Sequence, residues 1–255
     1  MNKQLIERRF SAAAQQYQQH ASQQAAAAQQ LLNYLPEDFH AQHVLDLGCG
    51  PGSQFLTLRQ RANTYTGIDI AAAMLTQAQQ TYNGGSWLKA DFEDLPLAND
   101  SADWVFANFS LQWAEDFSQV LREIRRVVMP GGRITINTLA AGTFSSLRSS
   151  ALHATGSPRV MRFAEVSLLH AQVAAVFPEV EMHLRTEQQH FPTLTDAMRS
   201  IRGVGASYHG VSERGLLTPR QLKRWQQQAQ KAAGNDNQIS LEWQILDITG
   251  SVKVN

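Results

Sequence analysis

The sequence predicts an α/β protein built on a doubly wound, Rossmann-like and mostly parallel sheet. Short apolar runs that end in polar or glycine-rich turns, such as residues 44–47 and 102–107, are typical of buried strands. Segments with apolar residues at helical spacing follow these runs, so strands and helices alternate along the chain. This alternation places helices on both faces of the sheet, and ligands bind beyond the carboxyl ends of its strands.

The composition fits one domain of ordinary size. Its 255 residues can bury a sizeable core, and the 22 basic side chains equal the 22 acidic ones in number. No global field therefore draws the chain to nucleic acid or an anionic membrane. The single cysteine, Cys49, cannot form an internal disulfide, and no apolar run is long enough to span a membrane. We expect a cytoplasmic protein that binds neither nucleic acid nor membranes.

Residues 2–35 are rich in alanine and glutamine and contain no proline. Their apolar positions recur at helical spacing, which predicts two helices joined around residues 18–20. Glutamine-rich sequence is also typical of disorder, but alanine favours a helix and the apolar face requires a partner. The side chains expected to face inward are Phe10, Tyr17, Leu31, Leu32 and Leu35.

Three glycines, Gly48, Gly50 and Gly52, end the first predicted strand. Glycine admits positive φ and lets backbone N–H groups approach a ligand, and the helix that follows favours a negative charge at its start. Dinucleotide-binding loops have the spacing G-x-G-x-x-G, whereas Ser53 begins the next helix here. The spacing therefore favours S-adenosylmethionine over a dinucleotide, and a glycine turn without a ligand remains an alternative.

A second strand, residues 64–68, ends at Asp69, about 20 residues after the glycines. A carboxylate at the end of the strand beside the loop can accept hydrogen bonds from both hydroxyls of a ribose. The alternative role for Asp69 is to cap a helix that starts at Ala71.

Two further strand ends carry polar and aromatic residues. Residues 86–90 precede Asp91-Phe92, where an acid can accept from an adenine amino group and a ring can pack on the base. Taken alone, this segment reads as an acidic loop ended by Pro96. The strand 102–107 leads into residues 108–113, at the edge where ligands bind in such sheets.

The remaining elements continue the pattern less regularly. A helix is predicted for residues 117–129, ended by Pro130-Gly131-Gly132, and a strand for 133–139. Further helices are predicted at 143–153, 164–176, 193–203 and 219–233, and strands at 181–191 and 241–252. We expect a single domain, residues 1–255, with N-terminal helices at about 1–35, a cofactor-binding half at about 40–140 and a helical lid at about 141–235.

Residues 46–52 (DLGCGPG), with Asp69 and Asp91-Phe92, resemble the class I S-adenosylmethionine-dependent methyltransferases over about residues 40–140. The resemblance implies a seven-stranded sheet with one antiparallel strand. It also implies that S-adenosylmethionine is bound by Tyr17, Asp46, Gly48, Cys49, Gly50, Gly52, Asp69, Ile70, Met74, Asp91, Phe92, Asn108 and Phe109.

A closer resemblance covers nearly the whole chain. Residues 10–14 with Tyr17, residues 108–113, Arg162-Phe163 and residues 197–206 are similar to the malonyl-acyl-carrier-protein O-methyltransferases of biotin synthesis, the BioC family. The resemblance implies methylation of the free carboxylate of malonyl-acyl-carrier protein. A carboxylate is already ionised at neutral pH, so no general base and no metal is expected, and alignment of the reacting atoms dominates.

Three arginines in the predicted lid, Arg162, Arg199 and Arg202, are candidates to hold that carboxylate, because a guanidinium matches its geometry. They could instead grip the carrier protein, together with Arg220, Lys223 and Arg224. Tyr17 is a further positioning candidate through the resemblance. Alternative functions are a polycarboxylate O-methyltransferase, a quinone C-methyltransferase, a dinucleotide oxidoreductase and a cofactor-binding module without catalysis.

Overall fold

The computed structural model describes residues 3–13, 22–203, 217–234 and 238–253. The helices are α1 (Lys3–Ala13), α2 (Ser22–Asn33), α3 (Phe55–Arg59), α4 (Ala72–Thr81), α5 (Phe117–Val127), α6 (Ser145–Thr155), α7 (Val166–Val176), α8 (Leu194–Gly203) and α9 (Pro219–Ala232). The strands are β1 (Ala41–Leu47), β2 (Ala62–Asp69), β3 (Ser86–Lys89), β4 (Ala102–Ala107), β5 (Val128–Leu139), β6 (Glu181–Phe191) and β7 (Ile239–Ser251). Among the described helices, none is long and apolar enough to cross a membrane.

The seven strands form one sheet in the order β3-β2-β1-β4-β5-β7-β6. Parallel pairs join β1 to β2 and β4, β2 to β3, and β4 to β5. The first three strands thus end at the same edge, where Leu47 of β1 pairs with Ile68 of β2. This register sets the glycine loop beside Asp69. The predicted doubly wound, mostly parallel sheet of seven strands is confirmed.

The core between α2 and the sheet explains why residues 22–33 form a helix. Leu31, Leu32 and Leu35 are buried against apolar side chains of β1, α3 and β4. Burying each leucine contributes about 1.5–3 kcal/mol. Phe10 is only partly buried and packs against Ala71 and Met74 of the α4 segment. The two predicted N-terminal helices are confirmed, whereas Tyr17 and residues 18–20 lie outside the described residues.

The Pro-Gly-Gly segment is part of β5, so the prediction that it separates a helix from a strand was wrong. Gly131 donates to the carbonyl of Val252 at 2.8 Å, and Val252 donates to the carbonyl of Gly132 at 2.7 Å. With φ of 80° at Gly131, these bonds define a β-bulge of the type that begins with a left-handed glycine. The reciprocal pair also shows that β7 runs antiparallel to β5. Helix α5 accordingly ends at Val127, two residues earlier than predicted.

The chain forms two compact units. The first comprises Met1–Thr138, Val166–Leu184 and Leu246–Asn255, and the second comprises Leu139–Glu165 and Arg185–Ile245. Within the second unit, the buried indole of Trp225 on α9 donates to the Ser150 hydroxyl on α6 at 3.1 Å. The later helices and strands lie within two residues of their predicted bounds. The lid and the single-domain organisation remain predictions.

Candidate active site

The glycine loop after β1 is too tight for any other residue at its first position. Gly48, Gly50 and Gly52 have φ of 70°, 55° and 77°, a region that side chains disfavour. A Cβ at Gly48 would lie 2.3 Å from the Cβ of Ser110. The N–H of Gly48 also donates to the carbonyl of Ile68 at 2.7 Å, which ties the loop to the end of β2.

Asp69 links this loop to the start of α4. Its Oδ2 accepts from the N–H of Gly50 at 2.9 Å, and its Oδ1 accepts from the N–H of Ala71 at 2.8 Å. Burial raises the pKa of the carboxyl to about 6, although donors from Ala71, Gly50 and Ile70 oppose the shift. Each carboxylate oxygen offers two acceptor sites, so both can take a further hydrogen bond from a ligand.

A cavity of about 600 Å³ lies in the first unit at the carboxyl ends of the strands. Seven of the residues expected to bind the cofactor line it: Gly48, Gly50, Asp69, Ile70, Asp91, Phe92 and Phe109. Asp46, Cys49, Gly52, Met74 and Asn108 do not line it.

The side chains of Asp46 and Cys49 are buried and do not line the cavity. The carboxylate of Asp46 is 3% exposed and accepts from the Tyr65 hydroxyl at 2.8 Å. Burial raises its pKa to about 7, and burial likewise raises the pKa of the Cys49 thiol. A thiol held protonated in this way is a poor nucleophile, so Cys49 serves as a small buried side chain.

Gly52 and Met74 also face protein. A Cβ at Gly52 would lie 2.7 Å from the Trp87 ring, so this glycine makes room for an aromatic side chain. Met74 is fully buried in a cluster with Ala71, against which Phe10 packs. Gly52 and Met74 therefore serve the packing of the loop and of α4 within the protein.

Phe109 holds a strained backbone at the edge of the cavity, with φ of 50°. Its N–H donates to Oδ1 of the fully buried Asn137 at 2.7 Å. Asn137 in turn donates to Oδ1 of Asn108 at 2.9 Å, and Asn108 donates to the carbonyl of Gln24 on α2 at 2.8 Å. Strained residues of this kind cluster at functional sites, where the surrounding structure fixes them.

Comparison with known proteins agrees with this geometry. Residues 45–136 match the methyltransferase domain family. The malonyl-[acyl-carrier protein] O-methyltransferase of Pectobacterium atrosepticum is 34% identical over 224 residues, which are 87% of this chain and 87% of that protein. That of Erwinia billingiae is 35% identical over 229 residues, which are 89% of this chain and 90% of that protein. The chain belongs to the malonyl-[acyl-carrier protein] O-methyltransferase family.

Solved structures support the fold of this methyltransferase. The YcgJ protein from Bacillus subtilis aligns with a TM-score of 0.63 at 16% identity, over 91% of this chain and all of that one. Geranyl diphosphate C-methyltransferase from Streptomyces coelicolor, in complex with S-adenosyl-L-homocysteine, aligns with a TM-score of 0.54 at 15% identity, over 89% and 78% of the two chains. At these identities the likeness concerns the fold alone.

The cavity of this methyltransferase is also lined by residues that the sequence analysis did not predict to bind the cofactor: Lys3, Ile6, Phe10, Glu93, Ser110 and Trp113. Trp113 packs edge-to-face on Phe10 at 5.4 Å between ring centroids. Ser110 and Trp113 fall in the segment already predicted to meet a ligand, and Glu93 follows Asp91-Phe92 directly. Lys3 and Ile6 carry no local signal, because only the fold brings α1 to the ends of the strands.

Two of the three candidate arginines are described with their side chains. Arg162 pairs with Glu165 at 3.0 Å and Arg199 pairs with Asp196 at 2.8 Å, both on exposed parts of the second unit. The side chain of Arg202 lies outside the described residues. Exposed ion pairs are weak, typically below about 1 kcal/mol, so a substrate carboxylate could displace Glu165 or Asp196 at small cost.

Proposed function

We propose that this protein transfers the methyl group of S-adenosylmethionine to the free carboxylate of malonyl-acyl-carrier protein, the step that begins the pimeloyl part of biotin synthesis. The single observation that carries the proposal is the family relationship, at 34–35% identity over nearly nine-tenths of the chain. The cavity supports it, because its loop, its acids and its rings stand at the strand ends where such a cofactor binds.

The residues of the cavity fit S-adenosylmethionine. Asp69 keeps acceptor sites on both oxygens for the two ribose hydroxyls. Asp91 and Phe92 suit the adenine, one as an acceptor for its amino group and the other as an apolar face. The glycine loop suits the methionine end, because backbone with positive φ and no side chains lets N–H groups approach a ligand closely.

The reaction depends on alignment of the carboxylate oxygen with the methyl group and on an apolar environment, and it requires no proton transfer. The bound sulfonium supplies an activated methyl group: a carboxylate oxygen bonds to the methyl carbon while the carbon–sulfur bond breaks and its electron pair stays on sulfur. Because the attacking carboxylate is already ionised at neutral pH, the protein has no proton to remove. The rings of Phe92, Phe109 and Trp113 give the cavity apolar walls. Two opposite charges disappear in the reaction, which such walls favour.

Arg162, Arg199 and Arg202 remain our candidates for the group that positions the malonyl carboxylate. Replacing the positioning arginine by alanine should raise KM for the malonyl substrate and leave the affinity for S-adenosylmethionine unchanged. Equal losses with carrier-bound and carrier-free malonyl thioesters would identify a carboxylate reader. A loss confined to the carrier-bound substrate would identify a docking residue.

The proposal is tested by incubating the purified protein with S-adenosylmethionine and malonyl-acyl-carrier protein and measuring the intact mass of the carrier protein. We expect a gain of one methyl group on the malonyl form. Acetyl-acyl-carrier protein, which lacks the free carboxylate, serves as the matched control and should gain nothing. An unchanged malonyl form, or an equal gain on the acetyl form, would rule out the proposed reaction. Methylation of free malonate instead would favour the polycarboxylate alternative.

A further inference from the structure

Helix α9 carries four cations and no acidic residue in its fourteen positions. The four are Arg220, Lys223, Arg224 and Lys231. Because successive helical residues are rotated by about 100°, these four fall within an arc of about 100°, and they extend over about 16 Å of the helix. They therefore form one continuous stripe, which we call the α9 stripe.

The opposite face of α9 packs against the protein, so the stripe faces solvent. Trp225 and Ala229 are buried, and the Trp225 indole donates to Ser150 of α6. Gln226 accepts from the N–H of Leu194 on α8 at 2.7 Å. All four cations of the stripe are exposed. The second unit thus holds α9 by its apolar face and presents the cations to solvent.

Among the described residues, the cations of the α9 stripe differ from Arg122 and Arg199, two other exposed arginines, in lacking an ion-pair partner. Arg122 on α5 pairs with Asp116 at 3.5 Å, and Arg199 on α8 pairs with Asp196 at 2.8 Å. Within the ranges that the structure describes, no ion pair includes any of the four stripe cations. Like charges three or four residues apart on a helix destabilise it, so this arrangement has a cost in the isolated protein.

The positive charge of the α9 stripe does not reflect an excess of basic residues in the chain as a whole. The 22 basic and 22 acidic residues cancel, so the α9 stripe is a local excess and not a consequence of a basic protein. A partner with an acidic face would remove the repulsion and gain steered association. Because the four cations lie in one line on a helix, the matching acids would lie along one element of the partner.

We propose that the α9 stripe docks an acidic face of the acyl carrier protein, an inference that rests on the proposed function. A substrate attached to a carrier protein presents two things to recognise, the acyl end and the protein itself. The cavity of the first unit accounts for the cofactor, and the α9 stripe supplies a surface for the protein. Long-range attraction between exposed charges is screened by salt, so docking on the stripe weakens as ionic strength rises.

The test replaces all four cations by glutamine, R220Q/K223Q/R224Q/K231Q, which removes the charge and keeps good helix formers on α9. At low salt, KM for malonyl-acyl-carrier protein should rise about tenfold or more, with little change in kcat. With malonyl-pantetheine, which has no carrier protein, kcat/KM should equal that of the unaltered protein. Added salt should raise KM for the carrier-bound substrate in the unaltered protein and have little effect in the variant.

Arg122→Gln is the matched control, because it removes one exposed helical arginine that has a partner of its own, and it should leave KM unchanged. An unchanged KM in the quadruple variant at low salt would overturn the docking proposal, as would an equal loss with malonyl-pantetheine. Unaltered protein that methylates neither substrate would instead refute the proposed function. Circular dichroism and the affinity for S-adenosylmethionine show whether the variant is folded. The salt dependence of KM in the unaltered protein tests electrostatic docking without any substitution.

Discussion

The ammonium group of Lys3 lies 2.6 Å from Oδ2 of Asp91 and 3.2 Å from Oε2 of Glu93. Both carboxylates line the cavity, and Ile6 and Phe10 of the same helix line it too. Helix α1 therefore forms one wall of the cavity and is tied by charge to the end of β3. A second tie of α1, between Glu7 and Lys89 at 2.7 Å, lies outside the cavity.

We predict that Lys3→Met raises the Kd for S-adenosylmethionine by about three- to tenfold, which corresponds to about 1 kcal/mol. The reason is that Asp91 and Glu93 lose the cation they share, and α1 loses the ion pairs that attach it to the cavity. Titration calorimetry measures the effect. Lys89→Met breaks the other tie of the same helix and should change the Kd little. If both variants lose the same affinity, the contact of Lys3 with the cavity has no special role.

The glycine loop gives a second prediction, in which two left-handed glycines are compared. Gly84 has φ of 83° with open space where a Cβ would stand, whereas at Gly48 that Cβ would meet Ser110. Gly84→Ala should cost about 1–2 kcal/mol of unfolding free energy from backbone strain alone. Gly48→Ala should cost clearly more and abolish S-adenosylmethionine binding, because Ser110 or the loop must move. Urea unfolding separates the two, and equal losses would show that the Ser110 contact is not limiting.

The amide chain behind Phe109 gives a third prediction. Asn137→Ala removes the acceptor of the Phe109 N–H and the donor to Asn108, all in a buried setting, so it should cost about 2–3 kcal/mol. We also expect a lower kcat, because Phe109 is released from its strained position at the cavity. Asn63→Ala is the control, since Asn63 bonds to His40 and Gln42 on the surface and should cost below about 0.5 kcal/mol. A loss no larger than that of the control would contradict the role given to Asn137.

These relationships show what local sequence could and could not predict. The strand 102–107 was predicted to the residue, because an apolar run bounded by polar residues contains all the information required. The start of β5 was missed, since the bulge at Gly131 depends on hydrogen bonds with Val252, far along the chain. The site follows the same division: acids at strand ends are visible locally, whereas Lys3 reaches Asp91 only through the packing of α1.

Asp46 gives the last prediction, on pH. Its buried carboxyl has a pKa raised to about 7 from an ordinary 3.8, so between about pH 4 and pH 7 the folded chain keeps a proton that the unfolded chain has lost. Stability contributed by this group is therefore present below pH 4 and falls as pH rises to 7. Asn at this position still accepts from the Tyr65 hydroxyl and does not ionise.

Relative to the unaltered protein, Asp46→Asn should therefore gain about 2–3 kcal/mol of unfolding free energy between pH 5 and pH 8. Chemical denaturation at the two pH values measures this difference. Asp69 also has a raised pKa, but it is present in both proteins, so its contribution largely cancels in the comparison. Parallel pH profiles for the two proteins would mean that Asp46 is ionised in the folded state despite its burial. In that case the hydrogen bond from the Tyr65 hydroxyl would fully offset the cost of burying the charge.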